Sequence, residues 1–119
     1  MKIKIEKLPL SKKVYDIKST VKNMRLTYDL QLTFARTTDF ANKEDEEVLD
    51  SLLDTLDTAL AYIQKVLKLS DEQMEKVEDN LEQNDVFEIA NLIAMKLMGV
   101  TDQAPTKEEQ KSNKSTDQG

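Results

Sequence analysis

The chain has 119 residues, a formal net charge of −6, and neither His, Cys nor Trp. Without His it lacks the commonest acid–base catalyst at neutral pH, and without Cys it has no disulfide, thiolate metal site or thiol nucleophile. We therefore expect a protein that is not an enzyme, with no catalytic residue, no cofactor and no metal. No apolar run approaches the roughly 18–20 residues of a membrane span, so no membrane partner is expected.

Charge is divided unevenly along the chain. Residues 1–38 carry nine Lys or Arg against three acids, whereas residues 39–88 carry sixteen acids against four lysines. Phosphate contacts supply most of the affinity of a protein for nucleic acid, and an acidic chain makes few of them. The composition therefore favours a protein-binding domain over a nucleic-acid-binding one.

The first eighteen residues read as a β-hairpin. Ile3 and Ile5 alternate with charged residues, Pro9 interrupts the run, and Tyr15 and Ile17 mark a second strand. Because an isolated two-stranded hairpin is marginal in water, we expect it to pack on helices.

A first helix is predicted over about residues 20–37, with Thr20 as its N-cap. Its apolar stripe is Val21, Met24, Tyr28, Leu32 and Ala35, widened by Leu26, Leu30 and Phe34.

The clearest pattern lies in residues 44–68, where apolar residues recur at steps of one and three. Acids begin this helix and lysines end it, as the helix dipole favours. At roughly 1.5 Å per residue it would be about 37 Å long. A compact 100-residue globule has a radius of gyration of only about 13 Å, so part of the stripe is expected to extend beyond the cover of its own chain.

Two shorter helices follow, over about residues 71–82 and 86–98. Ser70 and Gln73 form a capping-box pattern before the first, and Asp85 with Glu88 repeats it before the second. Ten of the thirteen residues in the last segment are apolar. Residues 101–119 are polar and are expected to form a disordered tail.

The predicted fold class is α+β, mostly α: an N-terminal β-hairpin (2–18) followed by a bundle of about four helices within one domain (1–100). A row of Asp50, Asp54 and Asp57 could bind a divalent ion, but a solvated helix face is the simpler interpretation. Residues 71–88 lack the EF-hand spacing. The last two helices could form a helix-turn-helix, although the acidic first helix would repel DNA.

The apolar surface exceeds what one small domain needs for its core. We predict that the last helix and the end of the long helix bind a partner. The candidate partner-binding residues are Leu60, Ile63, Leu67, Phe87, Ile89, Ile93, Leu97 and Met98. Two alternatives remain open at this stage, a small oligomeric structural or adaptor protein and a DNA-binding regulator.

The order of parts resembles a known family. A basic hairpin leads through Thr20-Val21-Lys22-Asn23 into a helix, and a long acidic helix runs into Val66-Leu67-Lys68-Leu69-Ser70-Asp71-Glu72-Gln73-Met74-Glu75. A final apolar helix closes on Lys96-Leu97-Met98-Gly99 before the polar tail. Over about residues 1–100 this arrangement resembles the tail assembly chaperones of long, non-contractile-tailed phages and prophages of Gram-positive bacteria.

The resemblance implies a chaperone that binds and solubilises the tape measure protein, which sets tail length, and helps recruit tail-tube subunits during tail morphogenesis. In this family a ribosomal frameshift often adds a second domain that recruits those subunits. The resemblance also implies a protein of the host bacterial cytoplasm that is absent from the mature virion, and we expect it to self-associate.

Overall fold

The chain begins with two short antiparallel strands, β1 (Lys2–Lys4) and β2 (Val14–Asp16), in which Ile3 is paired with Tyr15. In this computed structural model, residues 1–37 and 44–99 are described. Both central side chains point inward, because successive residues of a strand alternate between faces. The predicted hairpin is confirmed, and its inward face packs into the core that it shares with the helices.

Four helices follow the hairpin: α1 (Val21–Thr37), α2 (Asp45–Leu67), α3 (Asp71–Asn80) and α4 (Gln83–Leu97). The mostly helical α+β class is therefore confirmed. The predicted disordered tail, residues 101–119, lies outside the described residues, as does the predicted break between the first two helices beyond Thr37.

The helix boundaries follow local capping chemistry. The Thr20 hydroxyl accepts a hydrogen bond from the Asn23 backbone N–H at 3.1 Å and begins α1. Ser70 and Gln73 cap α3 reciprocally at 3.1 and 2.8 Å, as the sequence predicts. Lys68 ends α2 in the left-handed conformation, with φ 59° and ψ 49°.

The last helix begins three residues earlier than the sequence indicates. The capping box is formed by Glu82 and Asp85, in which an Asp85 carboxylate oxygen accepts from the Glu82 backbone N–H at 3.1 Å. Asp85 is therefore the third helical residue and not the N-cap. Glu is not among the preferred N-cap residues, which is why the sequence pattern pointed to Asp85.

The long helix α2 is the centre of the molecule and packs against both α1 and α4. Its buried residues all lie in the second half, from Thr55 to Leu67. The main core comprises Ile3, Ile5, Leu8, Tyr15, Leu30, Ile63, Val77, Ile89, Ile93 and Leu97. Side chains of the hairpin, the long helix and the last helix thus enclose one shared apolar interior.

The core-facing side of α1 differs from the predicted stripe. Thr27 and Leu30 are buried and Phe34 packs against the core, whereas Tyr28 and Leu32 are more than half exposed. The sequence places apolar residues on two opposite faces of this helix, and periodicity alone does not say which one meets the core.

Candidate protein-binding site

The eight residues predicted to bind a partner come together in the interior of this chain. Five of them are buried: Ile63, Leu67, Ile89, Ile93 and Leu97. Leu60, Phe87 and Met98 are half-buried at the margin of the core. The five buried side chains have no free surface in this conformation, and a partner-binding role for the set stays a prediction.

The exposed apolar surface lies instead at the beginning of α2. Leu49 is 66% exposed and Leu53 is 59% exposed. No residue from 45 to 54 is buried, so this half of the helix contributes nothing to the core. The acids Glu46, Asp50 and Asp54 lie within one turn of the two leucines along the helix and are also exposed.

An apolar groove lies beside these leucines, between α1, α2 and α4. It has a volume of about 410 Å³ and is lined by Phe34, Leu52, Phe87, Thr37, Thr55, Glu88 and Asn91. The Phe34 and Phe87 rings meet edge to face, with centroids 6.0 Å apart and an interplanar angle of 85°. This contact is attractive and restrains both rings, which form one wall of the groove.

Polar contacts fix the margins of the groove. The Thr37 and Thr55 hydroxyls are hydrogen-bonded to each other and join α1 to α2. Lys7 of the hairpin donates to Glu88 and also to Asp85, the latter at 3.4 Å. The hydrogen bond to Glu88 raises the pKa of Lys7 above its ordinary value of 10.5. These exposed ion pairs link the segment after β1 to the first turns of α4, which carry Phe87.

A second exposed apolar face runs along the outside of α1. Val21, Tyr28 and Leu32 are each more than half exposed, and their spacing of seven and four residues puts them on one face. This face is separate from the groove, because Phe34 projects toward the core and contacts Phe87.

The sequence reasoning missed Leu49, Leu53 and Leu52 as surface candidates. The signal that identifies them is the length of α2, since a helix that outruns its neighbours leaves one end of its apolar stripe uncovered. The sequence predicted that excess length but did not show which end of the helix is covered. The covered end is the second one, where Val66 and Leu67 are buried and the Gln64 side-chain amide donates to Asp71 of α3 at 2.9 Å.

Two other sequence-based possibilities have structural outcomes. Within residues 1–37 and 44–99, no cluster of acids is arranged to hold a metal ion, and Asp50, Asp54 and Asp57 lie exposed. In the same described residues, no helix is both long enough and apolar enough to cross a bilayer.

Comparison with known proteins identifies a family. The family model described as phage tail assembly chaperone proteins matches residues 1–112, nearly the whole chain. No curated protein and no solved structure matches. The family match covers the hairpin, all four helices and the groove between them, and the chain therefore belongs to the phage tail assembly chaperone family.

Proposed function

We propose that this chaperone binds the tape measure protein and keeps it soluble until tail-tube subunits assemble around it. Two observations support this proposal. The family acts in tail assembly, and the exposed apolar side chains at the beginning of α2 offer a surface on which another protein could bind. The activity is binding and not catalysis. Its place is the host cytoplasm, and the protein is absent from the finished virion.

The apolar groove is the proposed contact surface, together with the adjoining Leu49 and Leu53. An amphipathic helix laid in a groove buries its apolar face against such residues. Phe34, Leu52 and Phe87 would contact that face, and Leu49, three residues before Leu52, would extend it by about one turn along α2. Of the eight residues predicted from sequence, Phe87 is the one that lines the groove.

The charge around the groove indicates what kind of client helix fits. Glu88 of the groove wall is already paired with Lys7, but the exposed acids Glu46, Asp50 and Asp54 lie around the leucines. A client helix with lysines or arginines beside its apolar stripe would pair with them, which mainly increases association rate and specificity.

The test is coexpression of the tape measure protein with variants of this surface. Leu49→Ser/Leu53→Ser removes two exposed side chains and is expected to leave the fold intact, since neither is buried. We expect most of the tape measure protein to move into the insoluble fraction. Tyr28→Ser/Leu32→Ser is the matched control, because it makes an equal exposed face of α1 polar and should retain solubilisation.

A contrary result is easily recognised. The groove assignment is wrong if the α2 double variant has the melting temperature of the unchanged chain and still solubilises the tape measure protein fully. It is also wrong if only the α1 variant loses solubilisation, because the client would then bind the outer face of α1.

Recruitment of tail-tube subunits is the second half of the proposal, through a longer form produced by frameshifting. Mass spectrometry of infected cells should then show peptides that continue from this chain into a second domain, and that longer form should retain tail-tube protein on an affinity column. If the 119-residue form retains tube protein equally well, recruitment does not need the extension.

A further inference from the structure

The two ends of α2 carry opposite charge. Four consecutive acids, Glu44 to Glu47, begin the helix and are all exposed; we call them the acidic turn. Lys65 and Lys68 lie at the other end. A helix of 23 residues separates the two ends by about 33 Å at roughly 1.5 Å per residue. No Lys or Arg occurs from residue 44 to 64, so nothing within this stretch neutralises the acidic turn.

A cavity of about 580 Å³ lies at the basic end, where β2, the beginning of α1 and the end of α2 meet. Five lysines line it, and we call it the lysine cavity: Lys12, Lys18, Lys22, Lys65 and Lys68. One acid, Asp16, also lines it, but its carboxylate is paired with the N-terminal ammonium at 3.0 Å. That hydrogen bond lowers the pKa of Asp16. The lysines therefore keep a strong excess of positive charge.

Within residues 1–37 and 44–99, neither charged group has an ion-pair partner: no ion pair there involves any of the five lysines or any residue of the acidic turn. Lys12 lies over the Tyr15 ring, 4.9 Å from its centroid, which leaves its charge unneutralised. The Glu44 and Glu47 side chains accept hydrogen bonds from backbone N–H groups in a capping box, which is not an ion pair.

We propose that the lysine cavity binds the acidic turn of a second copy of this chain. The charges are complementary, and a cavity of this size accepts a few carboxylate side chains and not a whole helix. Val21, between the lining residues Thr20 and Lys22, adds an exposed apolar side chain at the contact. The occupant is thus the first turn of α2, inserted end-on.

This contact is heterologous, because each copy uses two different surfaces. Copies joined in this way form a closed ring or an open filament, and not a symmetric dimer. The contact uses neither the apolar groove nor Leu49 and Leu53. It therefore stands independently of the proposed function, and the purified chain tests it without any client.

The experiment reverses charge on each side and then mixes the variants. Lys18→Glu/Lys22→Glu makes the lysine cavity less basic, and a Glu at position 22 suits the first turn of α1, which has no acid. Asp45→Lys/Glu46→Lys brings the acidic turn from four negative charges to a net charge of zero without touching the capping residues Glu44 and Glu47. Sedimentation velocity should show oligomers for the unchanged chain and monomers for each double variant.

A one-to-one mixture of the two double variants should form a heterodimer, because the acidic turn left intact in the first variant meets the lysine cavity left intact in the second. This restoration also shows that both variants are folded. Arg36→Glu/Lys76→Glu makes the same change in net charge at exposed residues that do not line the cavity and should associate like the unchanged chain. Raising salt from about 0.1 M to about 1 M shortens the Debye length from about 10 Å to about 3 Å and should weaken the association.

Several outcomes would overturn the proposal. The first is an unchanged chain that is monomeric at every concentration. The second is association that persists in both double variants, and the third is a mixture that stays monomeric while both variants keep their melting temperatures. If Lys18→Glu/Lys22→Glu instead loses binding of inorganic phosphate or an oligonucleotide, with self-association intact, the cavity serves a different ligand.

Discussion

Thr27 and Tyr62 form the buried polar contact between α1 and α2, with their hydroxyl oxygens 2.8 Å apart. The Thr27 hydroxyl also contacts the Asn23 carbonyl oxygen at 2.8 Å, so it has a second partner. Thr27→Val leaves the Tyr62 hydroxyl buried without this partner and should lower the free energy of unfolding by about 1–3 kcal/mol. Tyr62→Phe should lower it by only about 0.5–1.5 kcal/mol, because Thr27 keeps Asn23. Urea unfolding of both variants and of the double variant measures the difference; equal losses would contradict this asymmetry.

Tyr62 also predicts how stability depends on pH in the alkaline range. Burial raises the pKa of Tyr62 above its ordinary value of 10.0, and the hydrogen bond to Thr27 offsets this only in part. Above pH 10 the unfolded chain releases the phenol proton while the folded chain keeps it, so stability falls as pH rises. Tyr62→Phe should make the fall in melting temperature between pH 9 and 11 less steep, because one phenol no longer contributes to the pH dependence of stability. Tyr28→Phe removes an exposed hydroxyl and is the control.

At the scale of elements, the sequence predicted the hairpin, the four helices and most of their ends. The predictions succeed where a local rule decides, as with Ser70 and Gln73 at the start of α3. They fail where two local patterns compete. Glu82 and Asp85 form the capping box of α4 although Asp85 and Glu88 have the more usual sequence. On α1, two apolar faces were available, and only tertiary packing selects the one with Leu30.

The two halves of α2 should differ in how easily they open. No residue from 45 to 54 is buried, whereas Ala59, Ile63 and Val66 lie in the core. Local opening costs least where few apolar contacts hold a segment. In hydrogen exchange followed by mass spectrometry, peptides from 45–54 should exchange well before peptides from 59–67. Uniform protection along the helix would show that the first half is held by something other than the core.

For the whole molecule, stability should depend on the last helix and hardly at all on the exposed leucines. Ile93 is 0% exposed and is surrounded by the shared core. Ile93→Ala should cost about 2–5 kcal/mol, a large share of the roughly 5–15 kcal/mol that typical domains possess. Leu53→Ala should change the free energy of unfolding by no more than about 0.5 kcal/mol. Chemical denaturation of both variants checks the contrast, which fails if Leu53→Ala is the more damaging.

The candidate site was less predictable than the fold. Sequence composition shows that apolar surface is in excess, but the distribution of that surface between interior and exterior depends on which elements meet. The last helix has the most apolar sequence, and six of its side chains are buried in the core. The exposed surface is left on a helix whose composition is more ordinary, at Leu49 and Leu53.

At Lys68, the stability of the fold and the charge of the lysine cavity favour different residues. It occupies a left-handed backbone conformation that costs a side-chain-bearing residue about 1–2 kcal/mol and that glycine adopts freely. Lys68→Gly should therefore make the isolated chain up to about 1 kcal/mol more robust, after the extra backbone entropy of glycine is deducted. The same change removes one ammonium group from the cavity wall. We therefore expect Lys68→Gly to raise the melting temperature and to weaken the proposed self-association.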